Sequence, residues 1–425
     1  MALHADRLAG MGVAELRDRF RRELFDEWLP CWEAHGIDHE LGGFQCGLDY
    51  GGALVHPAKF VWFQGRGIWV YSFLHRHFRA EPRFLDIARK TKDFLLRHAP
   101  QPDGAWASLL SREGRCLAVA AGDPYGAYFA VEGLQEYAQG AGDPRAREMA
   151  LQLFRALCRQ WTRPEAEFAG AGGPGFIPQG FWMVNLRIAT QCLQRNPDPE
   201  MEAIASQCIE AIVDRHYDPH TGLTSEYVRS DGRRPVGMER LCNFGHSIET
   251  LWMVLDEARR RGDRRLAETA IERIRRHLEA GWDELHGGLI QAINAGRKDY
   301  VWPPERPPGT ELEFRFHGEC NYLKTSWALD EILIATLKVL EIQPARWAED
   351  YFGRALRTLD EKFSRRAQGQ PTYMLFAGRE MTAQPRSSRQ DNYHRPRALM
   401  TCLLAFAPRK PPAAELFATK PSAVE

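Results

Sequence analysis

Apolar residues recur along most of this chain at intervals of three and four, the spacing that places them on one face of an α-helix. The pattern predicts helices over 13–31, 64–78, 82–98, 126–138 and 144–160, and it continues toward the C-terminus. The sequence therefore predicts a mostly helical protein in which each helix buries one side.

A second pattern separates the helices: turn residues, followed by a few residues that alternate or favour β-structure. It occurs six times, at 42–48, 104–110, 175–180, 222–227, 287–292 and 370–376. Successive copies lie roughly 45 to 85 residues apart, which leaves room for two helices each. Such a pair cannot bury its own apolar face, so neighbouring pairs must stack.

Six stacked pairs predict an all-α fold, an (α/α)6 barrel with short β segments at the turns. An open solenoid of twelve helices is the alternative. Closure is favoured because it would gather polar groups that lie far apart in the sequence. We expect residues 1–407 to form this single domain and the Pro/Ala-rich residues 408–425 to fray. The Pro-rich connection 297–317 is typical of a lid or binding loop.

Composition excludes some partners. The chain has 56 Lys plus Arg and 56 Asp plus Glu, so no net charge draws it to nucleic acid or to an anionic membrane. The nine cysteines are scattered, without a Cys-x-x-Cys pair, as is typical of free thiols in a reducing cytosol. The sequence shows neither a signal peptide nor a membrane span, so we expect a cytoplasmic protein.

Candidate chemistry begins in the middle of the chain. His246 and Glu249 are three residues apart, so on a helix they share one face. The apolar run 251–255 follows them, which indicates a buried environment that would shift their pKa values. A satisfied structural pair is the alternative to a catalytic pair.

Two further stretches combine cations with tryptophan. Lys59, Trp62, Arg66 and Trp69 fall on one face if the segment is helical, and an Arg inside such a stripe requires a carboxylate, an aromatic ring or a ligand oxygen. The alternative is a structural Arg stacked on Trp.

Later in the chain, Lys324, Trp327 and Glu331 also share a helical face, for which a solvated Lys–Glu pair is the usual explanation. His394 lies just ahead of Pro396, a residue that suits the first turn of a helix. A closed ring would bring this last segment beside the first.

Together these stretches resemble the N-acylglucosamine 2-epimerase superfamily, which includes cellobiose 2-epimerases and mannose isomerases, over roughly residues 20–405. Four motifs in family order carry the resemblance. They are the Lys-x-x-Trp-x-Gln-Gly-Arg-x-x-Trp-x-Tyr run from Lys59, the Gly-His-x-x-Glu at 245–249, the Lys-x-x-Trp-x-x-x-Glu at 324–331 and the His-x-Pro-Arg at 394–397. The family fold is the (α/α)6 barrel, which agrees with the repeat pattern.

The resemblance implies that Arg66, His246, Glu249 and His394 occupy catalytic positions. The substrate-binding set predicted from the stripes and the resemblance is Lys59, Trp62, Trp69, Asn185, Arg187, Lys324, Trp327 and Glu331. There are departures from the family. Ser326-Trp327-Ala328 replaces a double Trp before Pro, Val184-Asn185-Leu186-Arg187 stands where cellobiose epimerases carry a His, and 297–317 looks like an insertion.

The residue types then suggest a mechanism. The C2 proton of an open-chain aldose is weakly acidic, so its removal needs a base and a donor for the enediolate oxygen. Two imidazoles, His246 and His394, would remove and return the proton, Arg66 would hold the oxyanion, and Glu249 would orient His246 or a sugar hydroxyl. We predict a sugar 2-epimerase that needs no cofactor and no metal.

Other functions stay open. Return of the proton to C1 would make the protein an aldose–ketose isomerase. A glycoside hydrolase on the same fold would use Glu249 with Glu331 or Asp283, and a non-catalytic binding protein would show no proton exchange. No Walker-type phosphate loop is present, and nucleotide dependence stays open. The expected partner is a small sugar, and a homodimer is compatible with the sequence.

Overall fold

The computed structural model describes residues 3–120, 122–169, 171–294, 322–370, 372–381 and 389–407. These residues form six helix pairs in two concentric rings. The outer helices are α1 (Val13–Arg22, continued by wider turns to Gly36), α3 (Pro82–His98), α5 (Pro144–Trp161), α7 (Pro199–Glu210, continued as Ala211–Arg215), α9 (Arg264–Gly281) and α11 (Arg346–Thr358, continued as Leu359–Phe363). The inner helices are α2 (Val61–His77), α4 (Tyr125–Ala141), α6 (Gln179–Leu193), α8 (Phe244–Arg261), α10 (Ser326–Ile342) and α12 (His394–Ala405).

The inner ring is closed. Each inner helix packs on the next, and α12 returns to pack on α2 and on the outer helix α1. The contact is reinforced by buried charge: Arg395 on α12 donates to both carboxylate oxygens of Glu23 at 2.6 and 2.8 Å and to Asp330 on α10 at 3.0 Å. The predicted (α/α)6 barrel is therefore confirmed, and the open solenoid is wrong.

Short antiparallel strands connect the pairs, as the six turn copies predicted. The strands are β1 (Arg7–Leu8), β2 (Met11–Gly12), β3 (Gly47–Leu48), β4 (Leu54–His56), β5 (Lys59–Phe60), β6 (Leu109–Leu110), β7 (Cys116–Ala118), β8 (Phe176–Pro178), β9 (Tyr217–Asp218), β10 (Leu223–Thr224), β11 (Tyr227–Arg229), β12 (Leu241–Asn243), β13 (Ala292–Asn294), β14 (Lys324–Thr325) and β15 (Phe376–Ala377). They pair as β1–β2, β3–β4, β5–β6–β7, β8–β11, β9–β10, β12–β13 and β14–β15.

Four strands, β5, β8, β12 and β14, run directly into the inner helices α2, α6, α8 and α10. The amino ends of the inner helices therefore lie beside the strand pairs. Free backbone N–H groups at such ends favour negative charge. This end of the barrel consequently suits a reaction that builds up an anion.

Helix boundaries follow local chemistry. The Asn243 side chain accepts from the His246 backbone N–H at 3.2 Å and so caps α8, while Gly262 ends that helix in the left-handed region at φ 67°. Helices α2 and α4 approach closely because Gly65 and Gly133 face each other: a Cβ on Gly133 would lie 2.4 Å from the Gly65 carbonyl oxygen.

A large hydrophobic core extends from Leu8 to Phe406, and Leu323, Leu375 and Phe376 form a small separate cluster. The eight cysteines among the described residues are free. No helix in the described ranges is long and apolar enough to cross a bilayer. The predicted loop 297–317, Cys320 and the tail 408–425 lie outside the described residues.

Candidate active site

Polar side chains from four inner helices meet at the amino ends of those helices. Arg66 lies on α2, His246 and Glu249 on α8, Glu331 on α10 and His394 on α12. Except for His246, whose side chain is 30% exposed, all are buried. Such a concentration of buried ionisable groups is typical of a functional site.

The two histidines share one aromatic neighbour. The centroid of the Trp327 ring lies 5.6 Å from that of His246 and 5.3 Å from that of His394, with ring planes inclined by 38° and 36°. The two imidazole centroids are therefore no more than 10.9 Å apart, the sum of these distances. Two imidazoles that are 148 positions apart in sequence lie in one site.

Each imidazole has a carboxylate on Nδ1. His246 Nδ1 lies 3.1 Å from Glu226 Oε1, and His394 Nδ1 lies 2.6 Å from Asp391 Oδ2. The prediction that Glu249 orients His246 needs correction, because Glu226 fills that position and Glu249 binds Arg397. Glu226 lies between β10 and β11, outside the inner helices.

Arg397 lies between two carboxylates. Its Nη2 donates to Glu249 and to Glu331, both at 2.5 Å, and its Nη1 donates to the Tyr393 hydroxyl at 3.1 Å. Trp252 Nε1 donates to the other oxygen of Glu331 at 2.7 Å. Because two buried acids share one cation, they differ in charge.

Burial, reinforced by the charge of Glu249, raises the pKa of Glu331 to about 8 even though Arg397 opposes the shift. Burial also acts to raise the pKa of Glu249, but Arg397 and His394 together outweigh it and lower that pKa to about 2. At neutral pH Glu331 therefore holds a proton, and Glu249 is the anion.

Glu249, Glu331 and His394 are also a potential metal-binding group, since one ligand atom of each lies within 4.8 Å of the others. The Arg397 guanidinium, however, already donates to both carboxylates. The Arg397 side chain thus already provides the positive charge between these carboxylates, so the three residues are poorly suited to binding a metal ion.

Arg66 presents an unsatisfied donor. Its guanidinium carbon lies 4.1 Å from the Phe129 ring centroid and 4.8 Å from that of Tyr393. Its Nε is buried and has no hydrogen-bond partner among the described residues. Trp62, predicted to bind substrate, lies 5.2 Å from the same guanidinium. An Arg held by ring faces keeps its donors available for a ligand oxygen.

Arg187 and Trp69 form the neighbouring side of the inner ring. Arg187 donates to Glu132, and its guanidinium carbon lies 5.2 Å from the Trp69 ring centroid. The Tyr393 hydroxyl donates to Glu132 at 3.0 Å, which connects this pair to Arg397. Two of the predicted substrate residues thus belong to the buried network around the site.

Asn185 lies elsewhere. Its Nδ2 donates to the Phe181 carbonyl at 2.8 Å, and its Oδ1 accepts from Cys158 on the outer helix α5 at 3.0 Å. The Asn185 side chain therefore hydrogen-bonds helix α6 to helix α5. Its position does not support the prediction that Asn185 binds substrate.

Lys59 and Lys324 also need correction. They lie on β5 and β14, before the helices begin, so they do not continue the helical stripes. Each ammonium is buried and makes three hydrogen bonds: Lys59 to Asp38 and to the carbonyls of Gly42 and Arg112, Lys324 to Asp283 and to the carbonyls of Gly287 and Arg379. With all three donors used, neither lysine is available to a sugar.

A cleft of about 500 Å³, open to solvent, adjoins His394 and Trp327. The outer helix α1 and its continuation contribute Trp28 and Trp32 to its wall, and α10 contributes Ser326. Aromatic walls suit the apolar C–H faces of a sugar. The small Ser326 side chain opens onto this space.

A family model settles the relationship. The model for N-acylglucosamine 2-epimerase (GlcNAc 2-epimerase) matches residues 42–398, which is most of the chain. The chain belongs to this family. The predicted superfamily resemblance is thereby confirmed.

Individual relatives agree with this assignment. The N-acylglucosamine 2-epimerase of Bos taurus is 29% identical over 335 residues, covering 76% of this chain and 74% of the bovine protein. The cellobiose 2-epimerase structure from Bacillus thermoamylovorans B4167 superposes with a TM-score of 0.76 at 16% identity, covering 92% of this chain and 99% of that one. A D-mannose isomerase structure gives a TM-score of 0.71 at 13% identity, covering 93% and 96%.

In this family member, sequence reasoning missed Glu226, Asp391 and Arg397, which bind the predicted site residues His246, His394 and Glu249. Asp391 had a local signal, since an acidic residue just before a helix can accept from the backbone N–H groups two and three positions on and also reach a His ring three positions on. Arg397 stood in a quoted motif without a role. Glu226 gave no signal, because its approach to His246 depends on pairing between distant strands.

Proposed function

We propose that this protein is a sugar 2-epimerase that acts on a free aldose by proton exchange at C2. The observation that supports this most directly is the pair His246 and His394 at one Trp327 ring, each with a carboxylate on Nδ1. Two bases of this kind suit the removal of a proton from one face of a carbon and its return to the other.

The chemistry assigns a role to each group. A neutral imidazole takes the C2 proton, the electron pair moves into the C1–C2 bond, and negative charge builds on the carbonyl oxygen. The second imidazole, as imidazolium, then donates a proton to C2 from the other side. One proton leaves and one is returned, so the product is the C2 epimer.

His394 suits the role of the base in the resting protein. Burial lowers its pKa, the Asp391 carboxylate opposes that shift, and Arg66 and Arg397 add to it. A lowered pKa leaves the ring neutral at physiological pH, with a lone pair ready to accept a proton.

Arg66 suits the enediolate oxygen. Its guanidinium is permanently charged, and its buried Nε has no partner among the described residues. A preorganised donor in a site sheltered from water stabilises developing negative charge far better than an exposed one. The amino ends of the inner helices add to this stabilisation.

The glycoside hydrolase alternative fits the site less well. Glu249 and Glu331 are joined by Arg397 and fully enclosed, so they do not flank an open bond. Asp283 is bound to Lys324 in a turn. Aldose–ketose isomerisation returns the proton to C1 rather than to C2 and also moves the hydroxyl proton from O2 to O1, so the product seen in the same experiment distinguishes the two.

Proton NMR of candidate aldoses in D₂O with the purified protein tests the proposal. We suggest mannose, glucose, N-acetylmannosamine, lyxose and cellobiose. The expected result is loss of the C2 proton signal of at least one sugar, together with the appearance of its epimer. A ketose product would show that the protein is an isomerase, and release of reducing sugar from a glycoside would show that it is a hydrolase. The absence of exchange with every aldose would contradict both proton-transfer functions.

We also propose a cytoplasmic location, supported by the eight free cysteines of the described chain. The homodimer stays a prediction, which analytical ultracentrifugation would test.

A further inference from the structure

The two carboxylates on the imidazoles are themselves held in place. Asp391 Oδ1 accepts from the backbone N–H groups of Tyr393 at 2.7 Å and His394 at 2.9 Å, which leaves Oδ2 for the imidazole. The same arrangement recurs at the other histidine: Glu226 Oε2 accepts from Gln179 Nε2 at 2.9 Å, and Oε1 faces His246. In both carboxylates one oxygen is fixed by the fold and the other by the ring.

Both carboxylates are ionised. Burial acts to raise the pKa of Asp391, but His394 and Arg66 lower it well below its usual range. Burial likewise opposes ionisation of Glu226, and His246 and Gln179 outweigh it, so its pKa is also lowered. An ionised carboxylate only accepts hydrogen bonds. The ring nitrogen facing it must therefore carry the hydrogen.

We infer that Asp391 and Glu226 are the positioning residues of the proposed proton-transfer site. Each holds its imidazole in the tautomer with hydrogen on Nδ1, so that Nε2 of His394 and Nε2 of His246 exchange the proton with the sugar carbon. Each carboxylate also stabilises the imidazolium formed when Nε2 gains a proton. This inference rests on the proposed function.

The structure predicts what an amide would do at these positions. In Asp391→Asn the two backbone N–H groups retain the amide oxygen, because the amide nitrogen cannot accept from them. The amide NH₂ then faces His394 Nδ1, which becomes an acceptor, and the hydrogen moves to Nε2. Glu226→Gln has the same effect on His246, because Gln179 retains the oxygen.

The backbone hydrogen bonds of Asp391 survive the change, since an Asn oxygen accepts from the N–H groups two and three residues on as an Asp oxygen does. The matched control is Asp143→Asn. Asp143 likewise accepts from the backbone N–H groups two and three residues on, those of Arg145 and Ala146 at 3.0 and 3.1 Å, and no imidazole is among its hydrogen-bond partners in the described residues. It reproduces the exchange of carboxylate for amide without the change of tautomer.

The experiment joins ¹⁵N NMR of histidine-labelled protein with exchange kinetics. In the wild type, Nδ1 of His394 and of His246 should show the shift of a protonated ring nitrogen, and Nε2 of the resting base His394 that of an unprotonated one; the two sets of signals are assigned with His394→Asn and His246→Asn. Asp391→Asn and Glu226→Gln should each move the hydrogen to Nε2 of one ring. In each variant kcat should fall by about 10²–10⁴, with KM changed less than threefold.

Two results would overturn the inference: a wild-type ring with hydrogen on Nε2 and none on Nδ1, or amide variants that keep kcat within threefold although the tautomer has reversed. A fall in kcat that Asp143→Asn reproduces would also overturn it, since the loss of a carboxylate bound to backbone N–H groups would then be responsible. If the wild type exchanges no aldose, the proposed function itself fails, and that result is distinct because it appears before any variant is made.

Discussion

Replacing the two buried lysines tests whether they support the fold or bind substrate. Lys59 and Lys324 are at most 1% exposed, and each ammonium makes three hydrogen bonds, two within one turn and one to the carbonyl of a second segment. Methionine keeps the length and the apolar stem but removes the charge and the donors. We therefore expect Lys59→Met and Lys324→Met to lower the free energy of unfolding while leaving exchange kinetics intact.

The two variants should lose different amounts of stability, because Asp38 and Asp283 keep different partners once the lysine is removed. Removing one member of a buried ion pair costs about 3–5 kcal/mol. Asp38 retains Arg112, which donates to both of its oxygens at 2.9 and 3.1 Å, so Lys59→Met should lie near the lower end. Asp283 keeps the backbone N–H groups of Leu285 and His286, but among the described residues its remaining cation, the half-exposed Arg379, lies 3.7 Å away, so Lys324→Met should lie near the upper end.

Thermal unfolding measures this difference. At about 2.1 cal/mol/K per residue, 425 residues give an unfolding entropy of about 0.9 kcal/mol/K. The expected shifts in Tm are therefore about −3 °C for Lys59→Met and about −6 °C for Lys324→Met. The control is Lys90→Met, an exposed lysine 3.3 Å from Asp86, which should change Tm by less than about 1 °C.

Kinetics complete the test. Well below Tm, both variants should keep kcat and KM for exchange at the aldose C2 within about twofold, since neither ammonium reaches the site. A tenfold rise in KM with an unchanged Tm would show that the lysines bind sugar and that their placement in the turns is irrelevant to function.

Three further predictions follow from the buried groups. His394→Asn should slow C2 exchange in D₂O by about 10²–10⁴, and an unchanged rate would refute its role as a base. Glu331→Gln should change the free energy of unfolding by less than about 1 kcal/mol at pH 7, because burial raises the pKa of this acid to about 8 and it is already neutral. Glu249→Gln should cost about 3–5 kcal/mol, because it removes the anion from Arg397. Equal losses in Tm would contradict this charge assignment. Burial lowers the pKa of His277 to about 4, so between about pH 6.5 and pH 4 the unfolded chain binds a proton at this residue and the folded chain does not. The free energy of unfolding should therefore fall as the pH drops from about 6.5 to 4. The urea midpoint of His277→Gln should fall less steeply over this pH range than that of the wild type.

The buried network around Arg397 explains how the site tolerates so much charge. The pair Glu249 and Glu331 carries one negative charge because one of them is protonated, and Arg397 neutralises that charge. Tyr393 connects Arg397 to Glu132, which is in turn paired with Arg187. Each anion thus has a cation or donor within reach, as the low dielectric of the interior requires.

Much of the fold could be read from the sequence because its signals are local. Apolar spacing predicted the bounds of α2 to α5 to within three residues, whereas the first helix, predicted to end at 31, ends at Arg22 and continues in wider turns to Gly36. The turn copies located the connecting strands. The positions of Arg66, His246 and His394 were found because motif order along the chain coincides with the order of inner helices around the ring.

Tertiary structure decided which polar groups meet. Lys59 and Lys324 were assigned to helical stripes, but the helices start later, and the strand positions direct both ammonium groups into turns. Glu226 reaches His246 only when β11 pairs with β8, 49 residues away. Arg397 joins Glu249 to Glu331 only once the ring has closed. The pattern of apolar residues fixes which side of a helix is buried, whereas hydrogen bonds between buried charges depend on distances of about 3 Å across segments that no local pattern relates.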